Sequence, residues 1–168
     1  MSRIVGRPSL SVFRDRLADL GVDSVVTDPA SVADELEGRI DRPAVAWIDD
    51  DVPLPTGVDA DPDREALERA ETGITTARLG VASHGSVVVS QTGGLEGPVS
   101  LFPSKHVAIV RAADVVPDLA TAFEILEEEF ERGADDAVFV TGPSSTGDMG
   151  EMVVGVHGPG AMEIVIVE

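Results

Sequence analysis

The 168-residue chain contains no cysteine and no tyrosine, and Lys105 is the only lysine among its 12 basic residues. Without cysteine there can be no disulfide, thiolate zinc site, cysteine nucleophile or protein-held iron–sulfur cluster. Electron transfer would fall to a partner or to a bound organic cofactor, and the chain carries neither a Walker P-loop nor a dinucleotide fingerprint. No cofactor of its own is therefore expected. His84, His106 and His157 are the only histidines, too scattered for a helical metal pair, so no metal site is expected either. The opening MSRIVGRPSL has no long apolar signal region, and no stretch approaches the ~18 apolar residues of a membrane span. A cytoplasmic protein without membrane contact is the resulting expectation.

What the chain does have is acid. Thirty-one Asp and Glu residues give a formal net charge of -19, which repels phosphate backbones and anionic membrane faces and argues against nucleic acid as a partner. At 43% hydrophobic residues the chain folds despite that charge, and its length suits one domain over residues 1–168. Runs such as Asp49–Asp51 and Glu127–Glu129 suit a fold kept soluble in molar salt, where the Debye length falls to about 3 Å. A halophilic host is expected.

Along the chain, strand and helix signals alternate. Leu10, Phe13, Leu17 and Leu20 recur at helical spacing, with Ser9 or Ser11 as cap and Gly21 as terminator. Residues 23–28 read as a strand, Pro29 opens a helix over 29–39, and 44–50 read as a second strand. A loop over 50–63 precedes a helix near 64–71. Strands follow at 73–79, 85–91 and 106–112, the last two joined by a connecting loop over 92–105. Leu119, Ala122, Phe123, Leu126 and Phe130 form the buried stripe of a helix whose exposed glutamates are a solvated face. Strands at 136–142 and 162–168, nearly continuous in apolar character, read as covered on both faces. The fold class is α/β, a mainly parallel sheet with helices on both faces and antiparallel additions.

Between the last two strands, residues 142–160 hold six glycines, two prolines and the hydroxyl run Ser144-Ser145-Thr146. Ligands of open α/β sheets bind beyond the C-terminal strand ends, where backbone N–H groups are unpaired. Three loops are assigned to that position: Gln91-Thr92-Gly93-Gly94, Phe102-Pro103-Ser104-Lys105-His106, and Thr141-Gly142-Pro143-Ser144-Ser145-Thr146-Gly147-Asp148. The last is the foremost candidate, with glycines for close approach and hydroxyls as adaptable donors. The same residues also suit a structural turn in which Asp148 caps the segment that follows. Lys105, retained where every other cation is arginine, points to an anion contact beside Ser104 and His106. Asp148 is a candidate base or holder of a ligand hydroxyl. His157, beside Gly158, either fastens the C-terminal turn or faces the ligand.

The segment 138–168 resembles the C-terminal signature of the LUD-domain family, of the lactate-utilisation-protein-C type. The matching residues are Gly142, Pro143, Ser144, Thr146, Gly147 and Asp148, then Gly155, Val156, His157, Gly158 and Pro159. Weaker similarity extends through GSVVVS, LFPSKHVAIVRAADVVPDL and FRDRLADLGVDSVV. The chain departs from the pattern at Ser83-His84, at Ser145 and at Gly150. The resemblance implies a NagB/RpiA/CoA-transferase-like fold. It also implies a role in converting L-lactate to pyruvate beside iron–sulfur-cluster-bearing lactate-utilisation proteins. The expected protein is then a cluster-free, non-redox accessory or substrate-handling subunit, binding a small carboxylate or phosphate, or a partner segment, at 141–148. A homo-oligomer stays open. Two other readings stand beside it: a stand-alone enzyme of similar fold, such as a formyltetrahydrofolate cyclo-ligase, whose glycine- and tyrosine-rich motif this chain lacks, and a regulatory scaffold module.

Overall fold

A computed structural model of the chain describes residues 7–91, 93–133, 136–148, 151–155 and 157–168. In chain order the elements begin with α1 (Arg7–Asp19), β1 (Asp23–Thr27), a 3-10 turn at Pro29–Ser31 leading into α2 (Val32–Glu37), and β2 (Ala44–Trp47). Next come α3 (Arg64–Arg69), β3 (Thr72–Thr76), β4 (Leu79–Val81), β5 (Ser86–Gln91), α4 (Glu96–Leu101) and β6 (Lys105–Arg111). A 3-10 turn at Ala112–Asp114, β7 (Val115–Val116), α5 (Leu119–Glu131), β8 (Asp136–Val140), β9 (Ser145–Asp148), β10 (Glu151–Val154) and β11 (Ala161–Val167) complete the described chain.

Five strands form a parallel sheet in the order β1-β11-β6-β3-β2. Its centre is the two longest strands, KHVAIVR and AMEIVIV, and the pleat's period of two divides their side chains between two cores. Val107, Ile109 and Val165 pack with Ile74 against Val32 and Leu36 of α2. Ala108, Val110, Ile164 and Ile166 face the other way, onto Phe13 and Leu17 of α1. A four-stranded sheet, β7-β4-β5-β8, packs beyond that second core with α5 on its far face, and among the described residues β9 pairs only with β10, antiparallel. The mainly parallel α/β sheet with antiparallel additions is thus what the chain forms.

Local chemistry sets the element ends. The Asp28 carboxylate accepts from the N–H groups of Ala30 and Ser31, ahead of Pro29, whose missing N–H costs nothing in a first helical turn. Asp63 and Asp118 cap α3 and α5 in the same way, through Ala66 and Thr121.

Five expectations need correction. The segment 92–105 contains α4, because Gly97 and Pro98 occupy its first turn, where a proline breaks no intrahelical bond. α4 lies so close on β3 that a Cβ at Gly73 would sit 1.9 Å from the Val99 carbonyl oxygen. The run 73–79 is two strands: Ala77 N–H donates to Ile109 in the parallel sheet, and Arg78 N–H donates to Val88 in the other. β8 is an edge strand with half-buried residues, rather than one covered on both faces. In α5 the buried residues are Ala122, Ile125 and Leu126, while Phe123 and Phe130 are 55% and 43% exposed. Nor are all its glutamates a solvated face, since Glu129 bonds Arg78.

Candidate functional site

The glycine-rich segment and its neighbours gather at the edge of the parallel sheet where β6 and β11 begin. Lys105 pairs with Ala161 at the first rung, so the 102–106 loop enters the sheet at its N-terminal edge. The expectation that it lies beyond C-terminal strand ends is corrected by this topology. The 141–148 segment leaves β8, which belongs to the other sheet. Ser144 N–H donates to Pro159 O (2.8 Å), Gly155 N–H to Ser144 O (2.8 Å) and Gly160 N–H to Ser104 O (2.9 Å). Ser104, Ser144 and Gly158–Gly160 are therefore neighbours. Those three amides are satisfied by the protein's own carbonyls.

The side chains there are similarly committed. Lys105 Nζ lies 2.7 Å from Glu163 Oε1, and Arg39 approaches the other oxygen of Glu163 at 3.4 Å. Ser104 Oγ donates to the Glu71 carboxylate at 2.7 Å. Thr141 Oγ1 and Ser86 Oγ are 2.7 Å apart. His106 is fully buried, with Nε2 2.9 Å from Thr75 Oγ1 and Nδ1 without a partner among the described residues. Burial disfavours its charged form and pushes its pKa down to about 4. His157 and Ser145 are exposed, as are Gly93 and Gly94, and a Cβ at Gly94 would meet the Trp47 ring at 2.5 Å. The backbone of Thr146, Gly147 and Asp148 runs in β9. The side chains of Thr146 and Asp148, with Thr92 and Val156 entire, lie outside the described residues.

At the opposite edge, the parallel strands end in charged residues. β2 runs out into Asp49 and Asp51, β3 ends at Thr76 two residues before Arg78, and β6 ends at Arg111. A cavity of about 270 Å³ opens among Trp47, Asp49, Thr76, Arg78, Ser90, Glu96, Arg111 and Asp114. Asp49, Thr76, Ala77 and Arg111 also line a second cavity of about 100 Å³, completed by apolar residues that include Val32, Val52, Ile109 and Val167. Arg78 is clamped by Glu129, with Nε donating at 2.6 Å, while Asp114 stands 3.7 Å from Nη1. Arg111 gives only Nη2 to Asp51, at 3.0 and 3.1 Å. Ser90 Oγ is buried without a hydrogen-bond partner among the described residues.

The two arginines give this cavity donors for a small carboxylate, set beside the carboxylates of Asp49, Glu96 and Asp114. Each guanidinium has five donors in a planar fork, and both use only part of that set here. The Arg111–Asp51 pair is solvated, at 51% and 71% side-chain exposure, and such pairs contribute only about 0–1 kcal/mol. A ligand could displace it at little cost. Glu129 is only 18% exposed, so the Arg78 pair is the firmer one and fixes that fork in place. Ser90 also lines the cavity, though its Oγ is itself buried.

None of Asp49, Arg78, Ser90, Arg111 or Asp114 was among the sequence candidates. The readable signal was a shared grammar, in which AVAW, GITT and HVAIV each run into Asp or Arg within two residues.

Comparison with known proteins agrees with this fold. The family model described as LUD domain matches residues 12–167. Lactate utilization protein C of Bacillus subtilis (strain 168) is 34% identical over 108 residues, which cover 60% of this chain and 45% of that protein. The protein of the same name from Bacillus velezensis is 26% identical over 179 residues, covering 89% of this chain and 74% of its own length. The chain thus spans about half the length of the first of these relatives. A crystal structure of a DUF162 family protein from Deinococcus radiodurans superposes with a TM-score of 0.76 at 19% identity, covering 96% of this chain and 97% of that one. With a model matched over nearly its whole length, two submotifs in order and the same fold, this chain belongs to the LUD domain family.

Proposed function

We propose that the chain is a cluster-free, non-redox subunit of an L-lactate utilisation system, holding the small carboxylate in the cavity at the C-terminal edge of the parallel sheet. The relatives' name supplies the pathway. The observation that carries the substrate class is the placement of Arg78 and Arg111 on one cavity of about 270 Å³, where each charge-assisted bond to a carboxylate contributes on the order of 1.5–3 kcal/mol.

Conversion of L-lactate to pyruvate releases two electrons and two protons, and no side-chain type in this chain stores electrons. Iron–sulfur-bearing partners are the proposed acceptors, with this subunit binding and orienting the acid. In this reading the carboxylate lies between the two arginine forks and the 2-oxygen faces Ser90. The glycine-rich segment at 142–160 is assigned to holding the start of β11 rather than to the ligand, because two of its amide and carbonyl pairs close internally and a third ties Gly160 to Ser104. We place the protein in the cytoplasm of a salt-rich cell, where its charge of -19 is screened.

Two measurements test this. Calorimetric titration with L-lactate should show millimolar or tighter binding, about -4 kcal/mol or better, that Arg111→Leu weakens. The pure chain should not reduce a dye with lactate, and activity should appear when cluster-bearing partners from the same host are added. Lactate-dependent dye reduction by the chain alone would refute the non-redox role.

A further inference from the structure

Helix α5 has two unlike sides. Inward, Ala122, Ile125 and Leu126 are buried and Glu129 reaches Arg78. Outward, Phe123 and Phe130 stand 55% and 43% exposed, large aromatics that a monomer in water would be expected to bury. Phe123 also stacks at a tilt on Phe139 of β8, with ring centroids 5.6 Å apart, which extends the apolar patch onto an edge strand.

The rim of the patch is acidic. Glu124, Glu127 and Glu131 line it with the two phenylalanines and Ala120, and among the described residues none of these three glutamates makes an ion pair. Arg132, the nearby cation, is engaged with Glu128 at 3.2 Å.

We propose that this face of α5 docks a basic amphipathic helix of another protein. Phe123 and Phe130 are seven residues apart, so they stand about 10.5 Å apart along the axis, two turns at ~1.5 Å per residue. That spacing matches the heptad seam of a second helix laid nearly parallel to α5. Lysine or arginine flanking that helix's apolar stripe would meet Glu124, Glu127 and Glu131 as flanking charges meet across a coiled coil. A second copy of this chain fits poorly. An isologous contact would set the same glutamates against themselves, on molecules that each carry -19.

The test uses the full chain, without lactate, and a synthetic helical peptide of about 20 residues, long enough to hold a helix, with a leucine stripe flanked by lysines. Two controls accompany it: the same peptide with glutamate for lysine, and a scrambled lysine peptide without the stripe. Backbone amide shifts should localise binding of the first peptide to residues 119–131 and 136–140. The double variant F123A/F130A, which leaves net charge unchanged and alters only exposed side chains, should weaken binding by about tenfold or more. Glu127→Lys should weaken it too, and the glutamate peptide should not bind. The proposal is overturned if the scrambled peptide binds as well, if the shifts map elsewhere, or if the double variant binds within about twofold of the wild type. Sedimentation showing a dimer that F123A/F130A dissociates would equally overturn it in favour of a second copy.

Discussion

The two edges of the parallel sheet use different residues for different ends. Around the starts of β6 and β11, the chain gathers glycine, proline, its only lysine and a histidine, and apart from His106 Nδ1 their described groups are largely satisfied by the protein itself. Around the ends of β2, β3 and β6 it has ordinary aspartates and arginines, a cavity of about 270 Å³ and a buried hydroxyl without a partner among the described residues. Unusual residues here mark unusual backbone geometry. Gly142 and Gly155, at φ of +71° and +79°, sit in conformations that most side chains resist. Ligand chemistry needs only common polar groups left partly unsatisfied.

The sharpest separation of the edges should come from pH. His106 lies one residue inside the N-terminal edge and stays neutral in the fold, with a pKa lowered from 6.5 to about 4. Between those values the unfolded chain binds the proton and the folded chain does not, so stability falls as pH falls from 6.5 towards 4. The loss is on the order of 3 kcal/mol. Chemical denaturation across that range should show a steeper decline for the wild type than for His106→Gln, and equal slopes would remove His106 as the cause.

Next in size is Arg111→Leu at the opposite edge. Its ion pairs are solvated, so stability should change by less than about 1 kcal/mol, while L-lactate affinity should fall by about tenfold to a hundredfold, read by calorimetry. A large drop in melting temperature with unchanged affinity would reverse the roles assigned to the two edges.

Lys105→Met is the mirror experiment. It removes one of two cations on Glu163, a carboxylate 19% exposed, and should cost about 1 kcal/mol of stability with discounting for the remaining Arg39 contact. Lactate affinity should stay within about twofold. A strong loss of binding would return the anion site to the N-terminal edge.

The smallest effect is the most specific. Ser90→Ala should lower affinity for L-lactate severalfold, about 1 kcal/mol, and leave propionate, which lacks the 2-hydroxyl, unchanged. Equal losses for both acids would show that Ser90 shapes the cavity without reading the 2-oxygen.

Most of the architecture was legible because it rests on periodicity. The apolar runs of β6 and β11 and the stripe Phe13–Leu17 of α1 announce themselves locally. α4 was not legible, because Gly97 and Pro98 speak against a helix unless one knows they fall in its first turn. Phe123 and Phe130 fitted the helical period as well as Leu126 did, and only the position of α5 on the second sheet decides which of them is covered. The cavity was hidden for a different reason. Asp49, Arg78 and Arg111 look like solvated charges one at a time, the first and last standing 62 positions apart in the sequence. They become a constellation only through the strand order β11-β6-β3-β2, a non-local property that no window of sequence contains.

The break in the chain at Ala77 and Arg78 has a mechanical meaning. Two consecutive amides are moored to different sheets, one to Ile109 and the next to Val88, so a single peptide unit is the seam between two plates. Arg111 rides on one plate and Arg78 stands at the stitch, braced through Glu129 by the other. An acid gripped by both forks would act as a rivet across that seam. Its arrival would be felt as slower opening of the plates, measurable as protection of the Ala77 and Arg78 amides from solvent exchange.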